Sequence, residues 1–225
     1  GDVTLSGTAG PTTAMVTETA PNNGTTYQVA VSGMTVSGTV IASIGAGKAV
    51  DVSNNGNTAS SSADNTVTYI ACQITPPSNI VMNAAQGQCG TIVNYSIPEP
   101  TGNCGMLMGT PASGSFFPVG TTTVTITSEA GASGSFTVTV QDNQDPQITT
   151  CPGNITVNTD ASVCTALVPF SDIDKGTATD NCPTGLAVRY YLDYGTANQQ
   201  EITTAQAFAK GTTTVTVEAR DASNR

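Results

Sequence analysis

The 225-residue chain has no histidine and no tryptophan, and only 5% of its residues are aromatic. Without histidine, no Ser-His-Asp or Cys-His arrangement can form. Imidazole ligands for zinc are absent too, and no Cys-x-x-Cys pair occurs, so a zinc site is excluded. Basic residues are scarce, 6 Lys and Arg against 16 Asp and Glu, for a formal charge of −10. No basic stripe can neutralise phosphates, which argues against nucleic acid and anionic membranes as partners. Hydrophobic runs fall far short of the ~20 residues that span a bilayer, so no membrane insertion is expected. No Gly-x-Ser-x-Gly elbow or phosphate loop is present. A glycosidase-type carboxylate pair is compatible with 16 acidic residues, but short Thr-rich repeats offer no obvious cleft. The chain is read as non-enzymatic.

What the chain does have is threonine and valine, punctuated by glycine and proline, with no apolar 3.6-residue period. This pattern points to an all-β fold. Only 10% of residues are charged, a composition commoner in exported structural β proteins than in cytosolic enzymes. Gly1-Asp2-Val3 lacks the basic and apolar regions of a signal peptide, so the chain reads as a mature piece or a window of something longer.

A long repeat organises the rest. Asn-Ile recurs at 79–80 and 154–155, Cys at 89 and 164, Asn-Cys at 103–104 and 181–182, and Gly-Thr-Thr-Thr-Val-Thr at 120–125 and 211–216. A repeat of that length is one small domain per copy. Three blocks follow: residues 1–69, 70–145 and 146–225. The first shows strands at 3–5, 26–31, 39–44 and 66–69, fewer than the about seven of an immunoglobulin-like sandwich. The second shows strands at 79–82, 91–95, 121–127 and 135–140. The third repeats this pattern without a counterpart to the strand at 135–140. First and last blocks are therefore expected to be incomplete sandwiches. Their missing strands would come from the same polypeptide or, by strand donation, from another chain.

Asn79-Ile80, Cys89, Asn103-Cys104 and Phe117-Pro118-Val119-Gly120 with the Thr-Thr-Thr-Val-Thr that follows resemble the HYR (hyalin repeat) domain. Cys151-Pro152-Gly153-Asn154-Ile155, Cys164 and Asp180-Asn181-Cys182 of the third block resemble it as well. The resemblance implies tandem immunoglobulin-like sandwiches with a role in cell adhesion. Asp2-Val3-Thr4-Leu5, Val31-Ser32-Gly33-Met34-Thr35 and Gly38-Thr39-Val40-Ile41 make the first block similar to bacterial Ig-like repeats of giant surface adhesins. The combination resembles secreted multidomain proteins of Bacteroidota-type bacteria.

Six cysteines in a chain of exported character suggest disulfides. Cys89 and Cys104 align with Cys164 and Cys182, so the simplest assignment is one bridge per repeat, Cys89–Cys104 and Cys164–Cys182. Cys72 has no family counterpart and is expected to be free, buried or bonded to another chain. In HYR-like repeats a further cysteine commonly opens the last strand, which implies that Cys151 pairs outside this segment or with another chain. Asp142, Asn143 and Asp145, at the junction of the second and third blocks, are similar to the acidic linkers of cadherins. Clustered oxygen ligands of this kind suit Ca²⁺, and a solvated polar linker has the same composition. Asp172, Asp174 and Asp180 form a second acidic group, and Asp51 with Asn54, Asn55 and Asn57 a third that reads as turn chemistry.

The resulting expectation is a structural, adhesive segment of an extracellular or cell-surface protein. Its partners would be neighbouring domains of the same polypeptide or copies of itself, with surface glycans or proteins as further candidates. The alternatives are a filament subunit assembled by strand donation and a non-catalytic module of a secreted hydrolase.

Overall fold

The computed structural model describes residues 2–22, 24–51, 53–61 and 65–223. The first block holds β1 (Val3–Ser6), β2 (Thr13–Glu18), β3 (Tyr27–Ser32), β4 (Gly38–Ile44) and β5 (Thr66–Tyr69). The second holds β6 (Ile80–Asn83), β7 (Gly90–Val93), β8 (Leu107–Thr110), β9 (Ser115–Pro118), β10 (Gly120–Ser128) and β11 (Ser133–Gln141). The third holds β12 (Gln147–Thr150), β13 (Thr165–Val168), β14 (Thr177–Thr179), β15 (Ala187–Leu192), β16 (Gln200–Glu201), β17 (Gln206–Ala209) and β18 (Thr216–Arg220). One helical turn, α1 (Phe170–Ile173), follows Pro169. The protein is all-β, as its composition implies, and Ig-like, as the HYR resemblance implies.

The physical signal is clearest in β10 and β11. Thr and Ser alternate with Val124 and Ile126 in β10, and with Phe136, Val138 and Val140 in β11; these five apolar residues are buried. Side chains two apart share a sheet face, so the alternation alone assigns inside and outside. β2, β8 and β9 go unseen in the sequence. β2 and β8 bury no residue fully, and each of the three carries an exposed apolar residue: Met15 and Val16, Met108, and Phe116.

The chain forms two compact units. The first comprises Gly1–Pro77, Ser96–Ala112 and Val124–Phe136. In it β4 lies between β1 and β5, antiparallel to both, in registers Val3↔Ile44 and Gly38↔Tyr69. β2 and β3 form a hairpin, and β8 pairs with the end of β10, Thr110 opposite Thr125.

The second unit comprises Ser78–Tyr95, Ser113–Thr123 and Thr137–Arg225. Here β6 runs parallel to the end of β11, Ile80 opposite Val138, and β7 pairs with β9. Further along, β15 sits between β16 and β18, while β12 pairs with β14 and β13 with β17. Val168, Ile173, Tyr190 and Ile202 form a core, with Phe170, Val188, Phe208 and Val217 packed against it. Tyr190 is 1% exposed, and its hydroxyl accepts a hydrogen bond from the Gly176 N–H at 2.7 Å. Burial is the main reason its phenol is held above the ordinary tyrosine range. Tyr191 is also buried, and Tyr194 lies against it with ring centroids 5.3 Å apart.

The repeat in sequence is not a repeat in structure at every point. Ile155 and Val157 align with Ile80 and Met82 of β6, yet they lie outside any strand and are exposed. β6 is held by β11, and the third block has no β11 counterpart among the described residues.

Candidate functional site: a buried acidic cluster beside an inter-repeat disulfide

Asp142 directly follows β11 and continues its phase. Phe136, Val138 and Val140 point inward, and the next residue in that series is Asp142, 7% exposed. A carboxylate is thus carried into the protein by the same alternation that buries three apolar side chains. One Asp142 oxygen, Oδ1, accepts hydrogen bonds from the Gln144 N–H at 3.2 Å and from Asn181 Nδ2 at 3.1 Å. The Gln144 side chain ties this corner to the loop before β7. Its Nε2 donates to the Ala85 carbonyl at 3.2 Å, and its Oε1 accepts from the Gly87 N–H at 2.7 Å.

The other half comes from the loop after β14. Asp180 Oδ1 accepts the Cys182 N–H at 2.7 Å, and Asn181 Nδ2 also donates to the Gln88 carbonyl at 3.0 Å. A carboxylate oxygen of Asp142, one of Asp180 and the Cys182 sulfur lie within 4.8 Å of one another. Asp142 Oδ2, Asp180 Oδ2 and Asn181 Oδ1 are buried atoms with no hydrogen-bond partner. Among the described residues, no Lys or Arg forms an ion pair with either carboxylate. An open pocket of about 390 Å³, lined by Asn83, Val119, Gly120, Gln141, Asp142 and Asn143 among others, gives solvent a way in.

Asn143 and Asp145, expected beside Asp142 as ligands, are exposed in the linker and stand outside this cluster. Of the second acidic group only Asp180 takes part. Asp172 pairs instead with Lys175 at 3.7 Å on the surface. Asp51 makes the expected turn, its Oδ1 accepting from the Ser53 and Asn55 N–H groups at 2.8 and 2.9 Å. The Asn55 side chain, donating from Nδ2 to Oδ2, chiefly holds its carboxyl below the usual aspartate range, with help from the two N–H bonds.

The disulfides differ from the one-per-repeat assignment. Bridges join Cys72 to Cys104 and Cys89 to Cys182, with Cα–Cα distances of 4.6 and 4.7 Å. Cys89–Cys104 and Cys164–Cys182 are not formed, and Cys151 and Cys164 are exposed free thiols. Backbone pairing explains the first bridge. Gln73 and Thr101 exchange N–H···O bonds of 2.9 and 3.0 Å, and the Asn103 N–H donates to the Ile70 carbonyl at 2.9 Å, which sets Cys104 against Cys72. Gly102 makes that turn at φ +82°, where an added Cβ would lie 2.2 Å from the Ala71 carbonyl oxygen. The second bridge is set by Asn181, whose amide holds Gln88 and so brings Cys182 to Cys89. Cys164 sits at the head of β13, its carbonyl accepting from the Lys210 N–H at 2.9 Å.

One bridge therefore closes within the second block, and the other joins it to the third. Residues 69–140 match the HYR domain. That span contains Cys72–Cys104 entire, and Cys89 is the point from which the HYR match is bonded to the segment after it. The HYR domain is a hyalin repeat, non-catalytic and typical of extracellular adhesion-type proteins. No curated protein and no solved structure matches the chain. No helix among the described residues is long and apolar enough to cross a membrane.

Proposed function

We propose that this chain is a load-bearing segment of an extracellular, multidomain adhesive protein, in which successive repeats are bonded covalently to one another. The observation that carries the reading is the Cys89–Cys182 bridge, which leaves the HYR domain and ends in the next block. A chain pulled from its ends would transmit force through that bridge and bypass the 93-residue separation it closes. The −10 charge keeps such a segment soluble and apart from anionic surfaces. The exposed run around Ile155 and Val157, aligned with β6, is where a neighbouring segment carrying a β11-like strand would pair in parallel.

Single-molecule pulling of the full chain tests this. With the bridge intact, the unfolded contour should fall short of the reduced contour by about 93 residues' worth, roughly 300 Å at about 3.3–3.6 Å per residue. Unfolding at negligible force in both states, with equal contour lengths, would remove the basis for a tension-bearing role.

A further inference from the structure

We propose that Asp142 and Asp180 form a binding site for one Ca²⁺ ion. The inference is independent of the mechanical reading above, since a cation can bind whether or not the segment bears load. Asp142 is 7% exposed and presents a buried, unpartnered Oδ2; Asp180 Oδ2 and Asn181 Oδ1 are likewise buried and unpartnered. Buried oxygen acceptors without donors are costly to leave unsatisfied, and so is a buried carboxylate with no counter-ion. A cation relieves both at once.

The donor set selects the ion. The ligand atoms available are carboxylate oxygens. The nearby Cys182 sulfur is locked in a disulfide and offers no thiolate, so soft metals find nothing to favour them. Ca²⁺ takes 6–8 oxygen ligands in irregular geometry, while Mg²⁺ demands a near-ideal octahedron. Two carboxylate oxygens from separate segments, with water from the adjoining pocket, suit the larger ion. The site spans the two repeats. Asp142 directly follows the strand that closes the second block, and Asp180 and Asn181 belong to the third, beside the cysteine bonded to Cys89. Bound Ca²⁺ adds a second cross-link beside the disulfide. The linker pair Asn143 and Asp145 has no part in it.

The test is equilibrium dialysis of the full chain against CaCl₂, with metal measured by atomic emission, together with melting temperature in CaCl₂ and in EGTA. One Ca²⁺ per chain is expected, with a melting temperature raised by roughly 5 °C or more at a hundredfold excess over Kd. Asp142→Asn and Asp180→Asn should each weaken binding at least tenfold, while Asp145→Asn should leave it unchanged. MgCl₂ at equal concentration should give a smaller shift. If the wild-type chain binds no Ca²⁺, or if binding survives both Asp142→Asn and Asp180→Asn, the site is wrong. The dialysis readout stands even if one variant folds poorly, because the wild-type stoichiometry alone can refute the proposal.

Discussion

Replacing Cys89 and Cys182 together by serine removes the bridge that joins the second and third blocks. On the chain-entropy treatment, a closure of 93 residues restrains the unfolded chain by about 4.6 kcal/mol. The Cys72–Cys104 bridge closes 32 residues and is worth about 3.7 kcal/mol by the same relation. The longer bridge should therefore be the costlier one to lose, by roughly 1 kcal/mol. With a urea m-value of about 2 kcal/mol/M, its loss lowers the unfolding midpoint by roughly 2 M. The chain has no tryptophan, so tyrosine fluorescence is the probe; Tyr190 and Tyr191 are buried in the unit containing Cys89 and Cys182. The single variant Cys89→Ser sharpens the test. It should expose one new thiol, which peptide mapping should locate at Cys182. A new thiol at Cys104 instead would refute the inter-repeat connectivity and restore one bridge per repeat, while a larger loss from breaking Cys72–Cys104 would refute the ordering by loop length.

Other consequences are open to the same methods. The native chain should react with two equivalents of a thiol reagent, at Cys151 and Cys164; zero equivalents would mean that these two are bonded. Tyr190→Phe leaves the Gly176 N–H without its acceptor and should cost about 1–3 kcal/mol in urea unfolding. Gly102→Ala meets the Ala71 carbonyl at a φ of +82° and should cost at least about 2 kcal/mol. Gly87→Ala, at a similar φ with open space around it, should cost only about 1 kcal/mol. Burial works to raise the Glu218 carboxyl, but hydrogen bonds from Tyr194 and Arg220 outweigh it and hold the group below its ordinary value. A depressed carboxyl stabilises the fold above its unfolded pKa and loses that contribution as pH falls through the folded one. The advantage of wild type over Glu218→Gln should thus shrink below about pH 4.3. A constant difference across that range would show that Glu218 gains nothing from its partners.

The parts of the fold that sequence discloses are those written in local alternation. β10 and β11 are legible because threonine faces out at every second position and Val124, Ile126, Val138 and Val140 face in. β8 and β9 are not, because Met108 and Phe116 are exposed and blur the alternation. The third block shows the opposite failure. Ile155 and Val157 carry the strand-like composition of β6 but form no strand, since a strand needs a partner and composition does not supply one.

The acidic cluster divides in the same way. That Asp142 is buried could have been read directly, because it stands two residues beyond Val140, just past a strand whose phase is plain. The linker resemblance drew attention instead to Asn143 and Asp145, which follow in sequence but fall outside that phase. What no local pattern discloses is the arrival of Asp180 and Asn181, nearly forty residues on in the chain. Their position depends on the Asn181 amide reaching Gln88 and on Cys182 bonding Cys89. Repeat alignment misleads here for a definite reason. Two copies of one motif predict the same bond twice only if each copy closes on itself. Once Cys89 of one copy bonds Cys182 of the next, equivalent cysteines no longer share a role. Cys164, the counterpart of Cys89, is left as an exposed thiol, while Cys104, the counterpart of Cys182, takes Cys72 instead. One bridge, Cys89–Cys182, thus joins two copies of the motif, and the acidic cluster lies beside it.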